Sequence, residues 1–294
     1  MDIGISGMFG NSPRRDMGFL RAYAQTCEGL GFASLWAPEH VVFFASYDSK
    51  YPYTEDGSQP WSPDTGIYDC LTVCTVAATV TTRLRVCTSV MILPQRPALL
   101  TAKEALSVDH ASNGRFVLGV GAGWSSEEYL ALGVPWEDRA RRYDECIEAM
   151  RVAWTEDRAT YRGRYVNFEN AVLNPKPVNG TIPIVIGGDS GVAIRRAARI
   201  GDGWYGWWAG YDLDAQVERM HAALEAHGRT GDANFSWKLG LPIGGESPDE
   251  VAAKAAKAES LGIGEFVVGA PVPTKDFETH LQRWADALGV RAPA

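Results

Sequence analysis

Short β-like runs alternate with longer amphipathic stretches along the whole chain. The runs fall at 3–6, 34–37, 84–93, 115–121, 184–187, 203–205, 237–241 and 265–268. Several are almost continuously apolar, as in Val86-Cys87-Thr88-Ser89-Val90-Met91-Ile92-Leu93. That pattern suits parallel strands buried on both faces better than a half-exposed sheet. Between the runs the period becomes helical. Tyr143, Ile147, Met150 and Trp154 share one helical face, as do Phe277, Leu281, Trp284 and Leu288. Leu20, Tyr23, Cys27 and Leu30 make the first such stripe, and Gly31 stands where a C-terminal cap belongs. Eight strand-then-helix units predict an α/β fold closed as a (β/α)8 barrel, with residues 1–294 forming one domain. A doubly wound sheet would more naturally show fewer units and one dominant glycine fingerprint near its start.

Two segments break the rhythm. Residues 41–65 follow the second strand without helical period and carry Phe43, Phe44, Tyr47, Tyr51, Tyr53 and Trp61. A loop this long is either a lid or a packed excursion, and its aromatic density points to the lid. Residues 161–177, before the fifth strand, predict an inserted hairpin with Gly163 at its turn and Pro175-Lys176-Pro177 closing it.

The net charge of −8 argues against nucleic acid and anionic membrane surfaces as partners, and requires local donors for any anionic cofactor. No stretch reaches the roughly 18 consecutive apolar residues of a membrane span. The first residues enter a strand without a signal-peptide pattern, so the expected compartment is the cytoplasm. Cys27, Cys70, Cys74, Cys87 and Cys146 show no zinc spacing and no Cys-x-x-Cys pair, and read as small buried side chains; no metal site is expected.

In a barrel the site is built from the loops after the strands. Those loops hold Gly7-Met8-Phe9-Gly10, Pro38-Glu39-His40, Ser89-Val90, Gly121-Ala122-Gly123-Trp124, Gly187-Gly188-Asp189-Ser190-Gly191, and then Trp204, Trp207 and Trp208. Glycines let a flat ligand approach the backbone, and aromatics can wall it in. Strand, paired glycines and a helix start at 184–191 predict a phosphate site made of backbone N–H groups and the helix dipole. Asp189 or Ser190 would serve equally as an ordinary N-cap. Gly188-Asp189-Ser190-Gly191 also spells a serine-protease tetrad, but no base-and-orienter pair accompanies it. Gly119-Val120-Gly121-Ala122-Gly123 lacks the third glycine of a dinucleotide fingerprint and reads as a close-approach loop instead. His40, at a strand end beside the aromatic segment, is the candidate acid/base, with Glu39 to orient it or to touch substrate. Met8, Phe9, Phe43, Trp204 and Trp207 are the candidate pocket walls for an apolar or aromatic small-molecule substrate.

These loops resemble the luciferase-like flavin and deazaflavin oxidoreductase superfamily. The likeness is carried by Gly31-Phe32-Ala33-Ser34-Leu35-Trp36-Ala37-Pro38-Glu39-His40, Thr81-Thr82-Arg83-Leu84-Arg85, Leu93-Pro94-Gln95-Arg96 and Ser112-Asn113-Gly114-Arg115. It continues through Gly121-Ala122-Gly123-Trp124, Ile186-Gly187-Gly188-Asp189-Ser190 and Gly201-Asp202-Gly203-Trp204. The resemblance implies a homodimeric barrel with a cofactor across its strand ends and a backbone bulge with a non-prolyl cis peptide at Ser89-Val90 supporting the ring. It places cofactor contacts at Ser89, Val90, Gly121, Gly123, Trp124 and Gly187 to Gly191, and the catalytic histidine at His40. The compact length and the Gly-Ala-Gly-Trp loop look most like the branch that uses coenzyme F420, a deazaflavin that exchanges hydride at C5. Flavin mononucleotide (FMN) in an oxygen-activating monooxygenase is the alternative, and a barrel that carries or senses the cofactor without turnover is a third reading.

Overall fold

The computed structural model describes residues 1–10, 16–273 and 275–292. Its strands are β1 (Asp2–Ser6), β2 (Ser34–Ala37), β3 (Arg85–Thr88), β4 (Met91–Ile92), β5 (Phe116–Gly121), β6 (Ala159–Arg162), β7 (Asn167–Ala171), β8 (Ile184–Gly187), β9 (Gly203–Trp207), β10 (Ser236–Pro242) and β11 (Glu265–Gly269). The main helices are α1 (Met17–Leu30), α2 (Cys70–Val80), α3 (Ala98–Ser112), α4 (Ser126–Ala131), α5 (Arg139–Thr155), α6 (Gly191–Ile200), α7 (Leu213–Ala226), α8 (Pro248–Ser260) and α9 (Phe277–Ala287). Among the described residues no helix is long and apolar enough to cross a membrane.

All pairings of the large sheet are parallel, and it closes on itself. β11 pairs with β1, β1 with β2, β2 with β3, and β3 meets β5 to complete the ring. The expected (β/α)8 barrel is therefore the fold. The eighty-fourth to ninety-third residues, expected as one strand, are two pieces, β3 and β4, that pair with the same neighbour. Cys87 faces Val117 while Met91 faces Val120, so four steps on one strand oppose three on the other. The extra residue is a bulge at Ser89-Val90, and the peptide between them is cis, as the family resemblance implied. The predicted hairpin is present as β6 and β7, paired antiparallel on either side of the Gly163 turn.

Strand alternation sorts the side chains into two cores. Trp36, Cys87, Val117, Val185, Tyr205 and Val267 face the barrel axis and pack together. Leu35, Val86, Phe116, Leu118, Ile184, Ile186, Trp204 and Phe266 face outward and join the helices in the larger core. Below the axial aromatics, Glu265 is ion-paired to Lys238 (2.5 Å) and Arg85 (3.1 Å) and hydrogen-bonded by Ser34 and Trp36. Burial opposes ionisation of Glu265, but these two cations hold its pKa below the ordinary carboxylate value.

Several strings of the family signature sit at the opposite end from the strand C-termini, where they connect helices to strands. Glu28 accepts the N–H groups of Thr82, Arg83 and Leu84. Arg115 donates to the carbonyls of Leu84, Ala78 and Thr81, closing the end of α2. Asp202 accepts Ile184 N–H at 2.8 Å and pairs with Arg151 at 2.9 Å. These residues hold the barrel together and stand away from its mouth.

Candidate functional site

The loop after β2 turns His40 and Glu39 in different directions. Glu39 is buried, accepts Ile92 N–H at 2.6 Å and is ion-paired with Arg96. It therefore does not orient His40. Its carboxylate fastens the β2 loop to the segment behind the bulge. Glu39, Asp69 and Cys70 bring three possible metal-ligand atoms within 4.8 Å of one another. Arg96 also pairs with Asp69 at 2.5 Å, so one guanidinium is shared between the two carboxylates there.

The partner of His40 is Glu128, on α4 after β5. Its Oε2 lies 3.2 Å from His40 Nδ1, and its Oε1 accepts Val41 N–H at 2.6 Å. Glu128 is 1% exposed. Burial alone would raise its pKa, but the His40 and Val41 contacts outweigh that and keep it below the usual value. A buried carboxylate on Nδ1 leaves Nε2 as the nitrogen available to a ligand. The sequence reading missed Glu128. Its one trace was Ser125-x-x-Glu128, a helix-start pattern: Ser125 does cap Glu128 N–H (3.1 Å), while the glutamate side chain is spent on His40.

The aromatic segment folds down onto this dyad. Phe43, Trp61 and Trp124 surround the imidazole, with ring centroids 5.0, 5.8 and 5.8 Å away. Tyr51 packs edge-on against Trp61 and Trp124. The neighbouring Glu127 ties the segment to α4, accepting the N–H groups of Asp48 (2.7 Å) and Ser49 (2.9 Å). Burial works against its ionisation, yet the donors from Ser49 and Ser125 bring its pKa down to about 2. Trp124 Nε1 is shielded from solvent and has no hydrogen-bond partner among the described residues.

Across the mouth, Val90 projects from the bulge toward two strand ends kept bare. A Cβ on Gly121 would stand 2.5 Å from Val90 Cγ2, and one on Gly187 would stand 2.6 Å from Cγ1. Gly188 has φ +116°, a conformation glycine adopts readily. Ser190 caps α6 by accepting Ala193 N–H, which leaves the N–H groups of Gly191 and Val192 uncapped at the helix start. Gly123 (φ +69°) turns the chain from β5 toward Trp124.

Asp189, placed by sequence among the phosphate contacts, has its carboxylate turned back into the protein. It accepts Trp207 N–H (3.1 Å) and the Tyr211 hydroxyl (2.9 Å), with the Tyr53 hydroxyl beside it. Burial raises its pKa to about 6 despite those donors. Two candidate pocket walls also lie elsewhere. Trp204 is on the outward face of β9, fully buried among helices, and donates to Gly188 O at 2.9 Å. Phe9 packs edge-to-face on Tyr23 of α1 at 5.3 Å and belongs to the outer core. Met8 is half-buried, and Trp207 faces inward across the positions of Gly240 and Gly269. The residue that sequence reading passed over is Tyr205, inward by strand parity with Trp207.

Barrel, third-strand bulge and a strand-end histidine together define a luciferase-like oxidoreductase scaffold. The chain belongs to the luciferase-like monooxygenase family, whose model matches residues 1–291. An uncharacterized protein of Mycobacterium tuberculosis is 33% identical over 259 residues, covering 88% of this chain and 87% of that protein. An FMNH2-dependent dimethylsulfone monooxygenase of Pseudomonas fluorescens is 31% identical over 222 residues, covering 73% of this chain and 55% of that protein. Among solved structures, the coenzyme F420-dependent tetrahydromethanopterin reductase of Methanopyrus kandleri superposes with a TM-score of 0.75 at 15% identity, covering 98% of this chain and 99% of that one. A long-chain alkane monooxygenase reaches 0.77 at 15% identity, covering 98% and 91%. At such identities the structural matches speak to the fold.

Proposed function

We propose that this protein is an oxidoreductase that moves hydride between coenzyme F420 and an apolar or aromatic small molecule. The observation that carries the reading is His40, enclosed by aromatic rings at a strand end with Nδ1 held by the buried Glu128.

The residues present fit a flat, phosphate-bearing cofactor. Gly121 and Gly187 let Val90 seat its side chain over the strand ends, two N–H groups stand uncapped at the start of α6, and among the described residues the buried Trp124 Nε1 and Tyr205 Oη make no hydrogen bond of regular geometry. Ser89 and Val90 would support the ring, with Gly123 and Trp124 bordering it. Gly187, Gly188, Ser190 and Gly191 would hold the phosphate through backbone N–H groups. Asp189 would position that loop through Trp207 and Tyr211. When bound, the deazaflavin would supply or accept hydride at C5. His40 Nε2 would take or give the accompanying proton, and Glu128 would keep the imidazole oriented. Phe43, Trp61 and Trp124 would exclude water from that exchange. A homodimer is the assembly proposed with this reading, on the family resemblance.

The choice of F420 follows the Gly121-to-Trp124 loop and the compact chain. A second reading, an FMN-dependent monooxygenase, is favoured by the 31% identity to the dimethylsulfone enzyme. Equilibrium titration with each cofactor decides between them. Micromolar or tighter F420 binding, with FMN weaker, is expected. Tight FMN binding together with oxygen consumption by the reduced complex would replace the deazaflavin reading with the monooxygenase.

A further inference from the structure

The phenol of Tyr205 differs from the other polar groups of the barrel interior. The residue is 3% exposed, stacked on Trp36 with ring centroids 4.7 Å apart, and flanked by Trp207 at 6.4 Å. Among the described residues no hydrogen bond of regular geometry reaches its hydroxyl. The Ser89 hydroxyl lies close enough to interact with it, and also stands 3.4 Å from that of Ser6. On the adjacent strand, a Cβ at position 240 would fall 2.5 Å from Tyr205 Oη, so glycine keeps room for the hydroxyl. Burial, then the charge of Glu265, pushes the phenol far above its ordinary pKa, which leaves it a donor at neutral pH.

A sealed donor whose nearest acceptor is poorly placed is unfavourable in the free protein, and such exceptions call for an explanation. The floor of the barrel shows the contrast: Ser34, Trp36 and Lys238 all converge on Glu265. One layer higher, the Tyr205 hydroxyl ends beside Ser89, at the bulge that carries Val90 to the mouth. We infer that Tyr205 Oη donates a hydrogen bond to a ring acceptor of the bound cofactor at the Ser89-Val90 bulge, making Tyr205 a cofactor-positioning residue. The inference rests on the flavin-type reading above but not on the choice within it. Deazaflavin and flavin share the pyrimidinedione edge, whose carbonyl oxygens are acceptors of the right kind.

The test is Tyr205→Phe, which removes the hydroxyl and keeps the ring stack. Two readouts are taken on the full-length protein: the melting temperature without cofactor, and the Kd for F420 and FMN by absorbance titration. The expected result is an unchanged or slightly raised melting temperature, because no hydrogen bond of regular geometry is lost. The Kd for whichever cofactor the wild type binds should rise about three- to tenfold, the effect of one hydrogen bond. The bound cofactor's absorption band should also lie closer to its position in water than in the wild-type complex. A Kd within twofold of wild type would overturn the inference while leaving the flavin-type reading intact. A melting temperature several degrees lower with Kd unchanged would also overturn it, by assigning the hydroxyl a partner inside the protein. If the wild type binds neither F420 nor FMN, the flavin-type reading falls first and the inference with it.

Discussion

At the scale of single residues, neighbours in sequence divide the work. Glu39 and His40 are adjacent, yet one carboxylate is locked to Arg96 and Ile92 N–H while the imidazole faces Glu128, 88 positions further along. His40→Ala is expected to reduce hydride transfer about 10²–10⁴-fold with any substrate the wild type turns over, the usual loss for an acid/base. Glu128→Gln should cost roughly ten- to a hundredfold, since the base survives but loses its charged orienter. In both variants the cofactor Kd should stay within about twofold. Steady-state kinetics beside a binding titration reads this out, and His40→Ala turning over within a few-fold of wild type would remove His40 from the chemistry. His40 was legible in the sequence because strand ends are few and it stands at one. Glu128 was not, because no local pattern says which of two adjacent glutamates on a short helix faces a residue brought over from another strand.

At the scale of elements, α4 acts as a clamp. Ser125 caps it, Glu127 holds Asp48 and Ser49 of the aromatic segment, and Glu128 holds His40. The low pKa of Glu127 keeps this tie charged throughout the neutral range. Glu127→Ala is expected to speed amide exchange at Asp48 and Ser49 by about tenfold or more, through loss of two charge-assisted hydrogen bonds. The melting temperature should hardly change, because the tie lies at the surface. Exchange mass spectrometry over residues 42–61 checks this, and unaltered exchange there would mean that aromatic packing alone holds the segment. Element identity was readable from periodicity, but facing was less so. In β9 the same alternation that puts Trp207 inside puts Tyr205 inside and Trp204 outside, so of the two tryptophans expected as pocket walls only Trp207 faces the axis.

At the scale of the molecule, the barrel has a charged floor, an aromatic middle and a glycine-lined mouth. The floor pair is buried, so losing one partner is costly. Lys238→Met should lower unfolding stability by about 2–4 kcal/mol, because it leaves Glu265 with less compensation. Adding Glu265→Leu to that variant should recover much of the loss, since replacing a buried pair by apolar side chains is often close to neutral. Urea unfolding of the two variants measures both, with cofactor affinity as a control that should not move. A single variant as stable as wild type would show that Arg85 alone satisfies Glu265.

The sequence by itself determined the eight alternating units, the hairpin, the aromatic segment and the glycine turns, because strand and helix periods and turn residues are local properties of the chain. It also carried the family strings, several of which turn out to serve helix-to-strand joints such as Arg115 with the end of α2. Closure of the ring decided the rest. Only the pairing of β3 and β4 with one neighbour shows where the extra residue lies, and only the assembled barrel shows that Gly121 and Gly187 stand bare for Val90. Glu128 meets His40, and Asp189 turns away from the mouth, for the same reason. Both orientations depend on groups far apart in the chain, and a carboxylate goes to whichever donors the tertiary structure brings within reach.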